Sequence, residues 1–381
     1  MWKTLLFASL LALPLVGQRD PSYDRSVIKQ VRIDLRDLGY PPLDVIPPDE
    51  SAIRALAVAP DGTLYGATSG KRSHLFRLNP IHGYVEPLGV LQGVNMVYHS
   101  LVVAPNGDVY VGTAPGGHLL RYTPSGDRRD KIGVDNQLEV VDLGAPGGGE
   151  SICALTIDKV HIYGLTSPNG HFFSYEIGAG KFITHGRVAE HNIPGEKFES
   201  EKAIGRAIVI DADGAVYTSG DDGSLFRFSP NTGTFEKLST AVPSVPGREP
   251  YNRVDAWAAS DNGAVLYGGT SDGYLFRFFP KELRIENLGK PFSQYRIRGL
   301  ILAPSGKLYG VGGDDDEMAR LFSYDPTSGA YQLLGMVDVN HRPYYSWQAY
   351  VIDAVAVGRD GTIYLGQSER KSKLYLYYPE P

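Results

Sequence analysis

"LAVAPDGTLYGATSG" occupies Leu56–Gly70 and returns in varied form along the chain. Its clear copies are "LVVAPNGDVYVGTAPG" (Leu101–Gly116), "IVIDADGAVYTSGDDG" (Ile208–Gly223), "AASDNGAVLYGGTSDG" (Ala258–Gly273), "LILAPSGKLYGVGGDD" (Leu300–Asp315) and "VAVGRDGTIYLGQSE" (Val355–Glu369). A weaker copy, "LTIDKVHIYGLTSPNG", runs from Leu155 to Gly170. In the clear copies an apolar run meets a D-G, N-G or S-G turn, the dipeptides that supply the positive φ of a tight hairpin. A second strand then carries a tyrosine, and across all copies these are Tyr65, Tyr110, Tyr163, Tyr217, Tyr267, Tyr309 and Tyr364. They lie 42 to 55 residues apart, the length of one four-stranded unit.

The rest of each unit follows the same grammar. A Gly-rich turn leads to a third strand ("HLFRL", "HLLRY", "HFFSY", "SLFRF", "YLFRF", "RLFSY", "KLYLY"), and another turn leads to a fourth, such as "TFEKLS" or "RIENLG". The last unit stops after its third strand, while "VIKQVRIDLRDLG" (Val27–Gly39) stands ahead of the first with the character of a fourth strand. The pattern predicts an all-β, seven-bladed β-propeller with four-stranded antiparallel blades. The N-terminal strand is expected to complete the last blade, so that ring closure removes the open sheet edges.

Each repeated tyrosine is expected to pack blade against blade, since a residue type present in every unit is structural first. The clusters "GDDG", "TSDG" and "GGDDDE" fall at turns, where turn chemistry accounts for them. Calcium at Asp314–Glu317 is the alternative reading of the last cluster.

Among 381 residues the formal net charge is -6 and charged residues make up 21%. That balance argues against a general nucleic-acid binder, which needs a basic face. The N-terminal "MWKTLLFASLLALPLVG" reads as a signal peptide over residues 1–17, with Lys3 before an apolar run too short to span a bilayer comfortably. The remaining 18–381 are expected to form the propeller, secreted or periplasmic, monomeric and without a membrane partner. A single cysteine, Cys153, excludes an internal disulfide.

Strands alternate in direction, so the starts of the first and third strands of every blade share one face. At the first-strand entrances stand Arg54, His99, Cys153, Arg206, Asp255, Arg298 and Asp353, and at the third-strand entrances His74, His118, His171, Ser224, Tyr274, Arg320 and Lys373. These vary while their apolar neighbours persist, which is where function sits on a constant scaffold. The face is expected to be locally cationic and to take a carboxylated or sulfated ligand, for which arginine offers bidentate hydrogen bonds. Arg54, His74, His171, Arg206 and Arg298 are the candidate substrate-binding residues. Tyr251, Tyr344, Tyr345 and Trp347, in long connections at this end, are candidate stacking platforms. His74, His118 and His171 diverge from the axis and should not reach one ion across a bond of about 2 Å, so no metal site or cofactor is expected there, although structural calcium or zinc stays open.

The "YHSLVVAP…GGHLLRY" pair (Tyr98–Pro105 and Gly116–Tyr122), the seven units and the signal peptide together resemble the seven-bladed ulvan lyases, secreted enzymes that cleave uronic-acid-containing polysaccharides by β-elimination. The resemblance implies a catalytic pair at His99 and His118, with Tyr163 the nearest match for the family's tyrosine. The family's arginine has no clear counterpart; His171 stands near its place, and Arg206 is the alternative. Elimination needs a neutralised carboxylate, a base for the C5 proton and an acid for the leaving oxygen, and arginine, histidine and tyrosine suit those tasks. The competing expectation is a non-catalytic propeller that binds a glycan or protein partner on the same cationic face.

Overall fold

The computed structural model describes residues 30–34, 46–78, 85–124, 133–188, 207–220, 222–293, 296–314, 317–341 and 345–379. Seven four-stranded antiparallel sheets are present, together with one separate two-stranded hairpin, Asp338–His341 with Tyr345–Gln348. The innermost strands, A in each blade, are Ala52–Val58, Leu101–Val103, Ser151–Ile157, Val209–Ile210, Val254–Ala259, Ile297–Leu302 and Ile352–Val357. Strands B, C and D follow outward in chain order in blades one to six. Among the described residues the only helical turns are two short 3-10 segments, Pro48–Glu50 and Glu249–Tyr251.

Blade seven is built from Ile352–Val357, Ile363–Gln367, Lys373–Tyr377 and, as its outer strand, Gln30–Asp34 from the other end of the chain. The N-terminal strand runs antiparallel to Lys373–Tyr377, pairing Gln30 with Leu376 and Asp34 with Lys373. The ring therefore closes as the split last unit foretells. The signal-peptide segment lies outside the described residues.

The repeated tyrosines do pack between blades. All seven are buried, none more than 6% exposed. Tyr65 meets Tyr122 of the next blade edge-on at 6.5 Å, Tyr163 meets Phe228 at 5.9 Å, Tyr217 meets Phe278 at 5.2 Å and Tyr309 meets Tyr377 at 6.0 Å. Tyr110 and Tyr175, Tyr267 and Tyr324, and Tyr364 and Leu78 share interblade clusters in the same way. Strand B of one blade thus meets the end of strand C of the next all the way round, and each buried ring contributes on the order of 2 kcal/mol. A second device lies within blades. Gly66, Gly164, Gly268 and Gly310 pair across the sheet with Phe76, Phe173, Phe276 and Phe322, whose rings lie where a Cβ would stand. The glycine is needed there for close approach rather than for a turn.

Candidate functional site

The starts of strands A and C do lie at one end of each blade, and two repeated devices hold them there. At the entrance to strand C a threonine at the end of strand B accepts a backbone hydrogen bond. Thr68 Oγ1 receives the N–H of His74 at 3.0 Å, Thr113 that of His118 at 3.0 Å, Thr166 that of His171 at 3.3 Å and Thr270 that of Tyr274 at 3.0 Å. At the entrance to strand A the pairing register slips by one residue between Ile53 and Ala55, Ile152 and Ala154, Val254 and Ala256, Ile297 and Gly299, and Ile352 and Ala354. The residues at these slips are Arg54, Cys153, Asp255, Arg298 and Asp353. A β-bulge re-aims a side chain away from the regular alternation, and here it does so at the positions that vary between blades.

Together the strand-A entrances enclose a cavity of ≈ 190 Å³ on the ring axis, with walls from all seven blades and Arg54, His99, Trp257, Arg298, Asp255 and Asp353 as its polar or aromatic lining. Its charges are largely paired. Asp353 accepts from Arg298 Nη1 at 2.7 Å and from Ser368 Oγ at 2.8 Å, while Arg298 Nε donates to the Gly313 carbonyl at 2.8 Å. Asp255 accepts from Arg253 at 3.0 Å and Arg296 at 2.9 Å. Arg296 holds a φ of 63°, an uncommon conformation for a non-glycine residue and one that clusters at functional sites. Arg54 is bound most loosely: its Nε stands 4.0 Å from Asp353 with no hydrogen-bond acceptor, and its guanidinium lies 5.7 Å from the centre of the Tyr98 ring. Among the described residues four arginines thus surround two carboxylates, Arg54 and Arg298 in the cavity wall and Arg253 and Arg296 behind Asp255. Sequence reasoning missed Arg253 and Arg296, although both precede a named position by two residues, in "RVD" and "RIR".

Three of the histidines have different surroundings. His99 is half-buried in the cavity wall, and its carbonyl receives the Leu155 N–H at 3.1 Å. His118 lies two strands outward in the same blade, about 10 Å away at ordinary strand spacing. Its Nδ1 is 2.9 Å from Asp142 on strand D, both side chains being about half exposed. A carboxylate only accepts, so Nδ1 carries a proton, and in the neutral ring it is Nε2 that holds the lone pair. Asp142 sits below the ordinary carboxylate range; partial burial opposes this, but hydrogen bonds from His118 and the Gly144 N–H prevail. His171 is half-buried against Gly148, and burial, followed by the Arg187 charge, lowers its pKa.

Two of the expected site residues are elsewhere in role or place. His74 is fully buried, and its Nε2 is 2.7 Å from Glu50, so it belongs to the packed interior and presents no surface to a ligand. Lys373, at the equivalent entrance, is 1% exposed. Tyr163 is 1% exposed and its hydroxyl donates to Asp158 at 3.0 Å in the A–B turn, at the opposite end of the blade from His99. Burial, then the Asp158 charge, raises its pKa, whereas a proton donor in elimination would need it lowered. The structure does not bring Tyr163 to His99 and His118. Arg206 and Tyr344 lie outside the described residues, as do the side chains of Tyr345 and Trp347; Tyr251 is 40% exposed. Among the described residues no group of three or more His, Cys, Asp or Glu is arranged to hold a metal, and Asp315 and Asp316 are outside them.

Compared with known proteins, the chain matches no family profile and no curated sequence. Solved structures do match it. The extracellular domain of a putative hybrid two-component system from B. thetaiotaomicron aligns with a TM-score of 0.62 and 18% identity over 92% of this chain and 40% of that one, so this chain spans about two fifths of the length of that extracellular domain. A chain of the mitotic checkpoint complex aligns at 0.60 and 15% identity, over 99% of this chain and all of that one. The WD40 β-propeller domain of Doa1 aligns at 0.59 and 12% identity, over 92% and 97%. At these identities the likeness is one of fold: the chain is a seven-bladed β-propeller. Among the described residues no helix is long and apolar enough to cross a membrane.

Proposed function

We propose that this propeller is exported and recognises a carboxylate-bearing polysaccharide on the face that carries the strand-A and strand-C entrances. The observation that carries this reading is the gathering of arginine around the cavity's two carboxylates among the described residues: Arg54 and Arg298 in the wall and Arg253 and Arg296 on Asp255, in a chain of net charge -6. Guanidinium groups pair with carboxylates bidentately, and the pairing is strengthened where water is partly excluded. Export is supported by the composition of residues 1–17 and agrees with the extracellular setting of one similarly folded domain. The experiment is equilibrium binding of the folded protein to uronate polymers and to neutral polymers of similar length. Binding to the uronates alone, weakened by salt and by Arg54→Gln, is the expected result. Indifference to charge, or equal retention by neutral chains, would overturn it.

A second reading, elimination on the bound chain, is favoured by the His118–Asp142 pair. The carboxylate holds the ring through Nδ1, so that Nε2 is the nitrogen left to take a proton. In that step the C5–H bond breaks toward His118, a C4–C5 double bond forms, and the C4–O bond breaks with proton delivery to the leaving oxygen. The proton donor would have to be a group other than Tyr163. The readout is the ultraviolet absorbance of the conjugated, unsaturated uronate; a flat trace with polymers that the protein binds would remove this reading and leave recognition.

A further inference from the structure

The axial cavity differs in size from what a chain lying on the face would need. Its ≈ 190 Å³ falls short of the roughly 300–1,000 Å³ usual for small-molecule pockets. Its walls come from all seven blades, so among the described residues strand-A entrances ring it on every side. Such a space takes one sugar ring, presented end-on.

The wall also distinguishes its cations. Arg298 is engaged by Asp353 and the Gly313 carbonyl, and Asp255 is bridged by Arg253 and Arg296. Arg54 contributes a guanidinium whose Nε has no acceptor, and its side chain is 30% exposed. Across the ring in blade five, Trp257 contributes part of its ring to the same wall, while its indole Nε1–H is turned into the packed interior and the ring meets Phe276 edge-on at 5.4 Å. A loosely held cation, an indole ring edge and His99 thus border a volume of one ring.

We infer that the channel head is a receptor for the terminal residue of a uronate chain, with the carboxylate at Arg54 and His99 and an apolar sugar face toward Trp257. The inference rests on the reading of this face as carboxylate-binding and adds that recognition is of chain ends. One protein therefore binds per chain end, however long the chain.

The test uses the folded full chain with glucuronate and galacturonate as single sugars, their oligomers of defined length and their polymers, with glucose and galactose as uncharged controls. Binding is followed by calorimetry and by tryptophan fluorescence. One of the single uronates is expected to bind at least about tenfold more tightly than its uncharged counterpart, as for one charge-assisted contact. Arg54→Gln abolishes that preference without changing the melting curve, and Trp257→Phe, which keeps an aromatic ring in the wall, removes the fluorescence response while the uronate still binds. Stoichiometry stays at one protein per chain as length grows. If polymers bind in numbers that rise with length while single uronates do not bind, the end-receptor inference falls and the face reading stands. If neither binds, both fall.

Discussion

His74 and His118 occupy the same slot in neighbouring blades and have opposite fates. Each begins strand C, each gives its backbone N–H to a threonine Oγ1 at 3.0 Å, and each has a carboxylate on its ring. His74 uses Nε2, toward Glu50, and is fully buried, with Nδ1 left without a partner in the interior. His118 uses Nδ1, toward Asp142, and stays 45% exposed, with Nε2 as the nitrogen not turned to the carboxylate. The repeat places the backbone. What differs is the connection laid over it: in blade one the turn Pro48–Glu50 brings Glu50, 3% exposed, down onto the ring, whereas in blade two the partner comes from the exposed end of strand D. One slot has been turned into packing and the other into an accessible histidine–carboxylate pair.

The largest effect should come from breaking the buried member. Glu50 also accepts from Arg72 Nε at 2.8 Å, so Glu50→Ala leaves His74 with both ring nitrogens unpaired. A loss of about 2–3 kcal/mol in denaturant unfolding is expected. Asp142→Ala, on an exposed pair, should stay within about 0.5 kcal/mol. Equal losses in the two variants would erase the contrast.

Acid should separate them next. Burial depresses the His74 pKa below its ordinary 6.5, outweighing the attraction of Glu50. Burial pushes the Glu50 carboxyl up, but hydrogen bonds from Arg72 and His74 together bring it below 4.5. For both groups the folded form binds fewer protons than the unfolded one. Their stabilisation is therefore present above 6.5 and 4.5 respectively and is lost as pH falls below those values toward the folded pKa values. His74 alone can steepen the loss by at most about 1.4 kcal/mol per pH unit. Stability measured from pH 7.5 downward should begin to fall near 6.5, and His74→Phe should flatten that first limb. His171 and His185, also lowered by burial, leave a residual slope.

The repeat carried the fold because its signals are local. A turn dipeptide, a tyrosine and a strand period can each be read within fifteen residues, and the absent last strand pointed to its replacement at the other end of the chain. The site was legible only in part. Entrance positions such as Arg54, His99 and Arg298 follow from counting along the repeat. Their partners do not: Glu50 is 24 residues from His74, and Asp353 is 55 from Arg298. Whether a named histidine faces solvent is settled by such distant chain. Tyr163 shows the opposite error, since a resemblance offered a chemical role to a residue that the repeat had already claimed for packing.

Tyr163→Phe tests that point at the constant end of the blade. Losing the hydroxyl bond to Asp158 should cost about 1 kcal/mol and leave ligand binding on the far face unchanged. A selective loss of binding or turnover with a normal melting curve would move the site to the wrong end of the ring.

The smallest structural effect, and the most informative, belongs to the exposed pair. His118→Asn removes the imidazole from a surface position whose backbone is held by Thr113, so stability should change by no more than about 0.5 kcal/mol. If the protein only binds its glycan, affinity falls modestly. If it also eliminates, turnover on uronate polymer disappears and binding remains. Asp142→Asn then refines the result. An amide can either accept from or donate to Nδ1, so it no longer dictates which ring nitrogen carries the proton. A catalytic His118 would lose rate and shift its pH profile, whereas a ring that serves only as a hydrogen-bond donor or a packing surface would show neither.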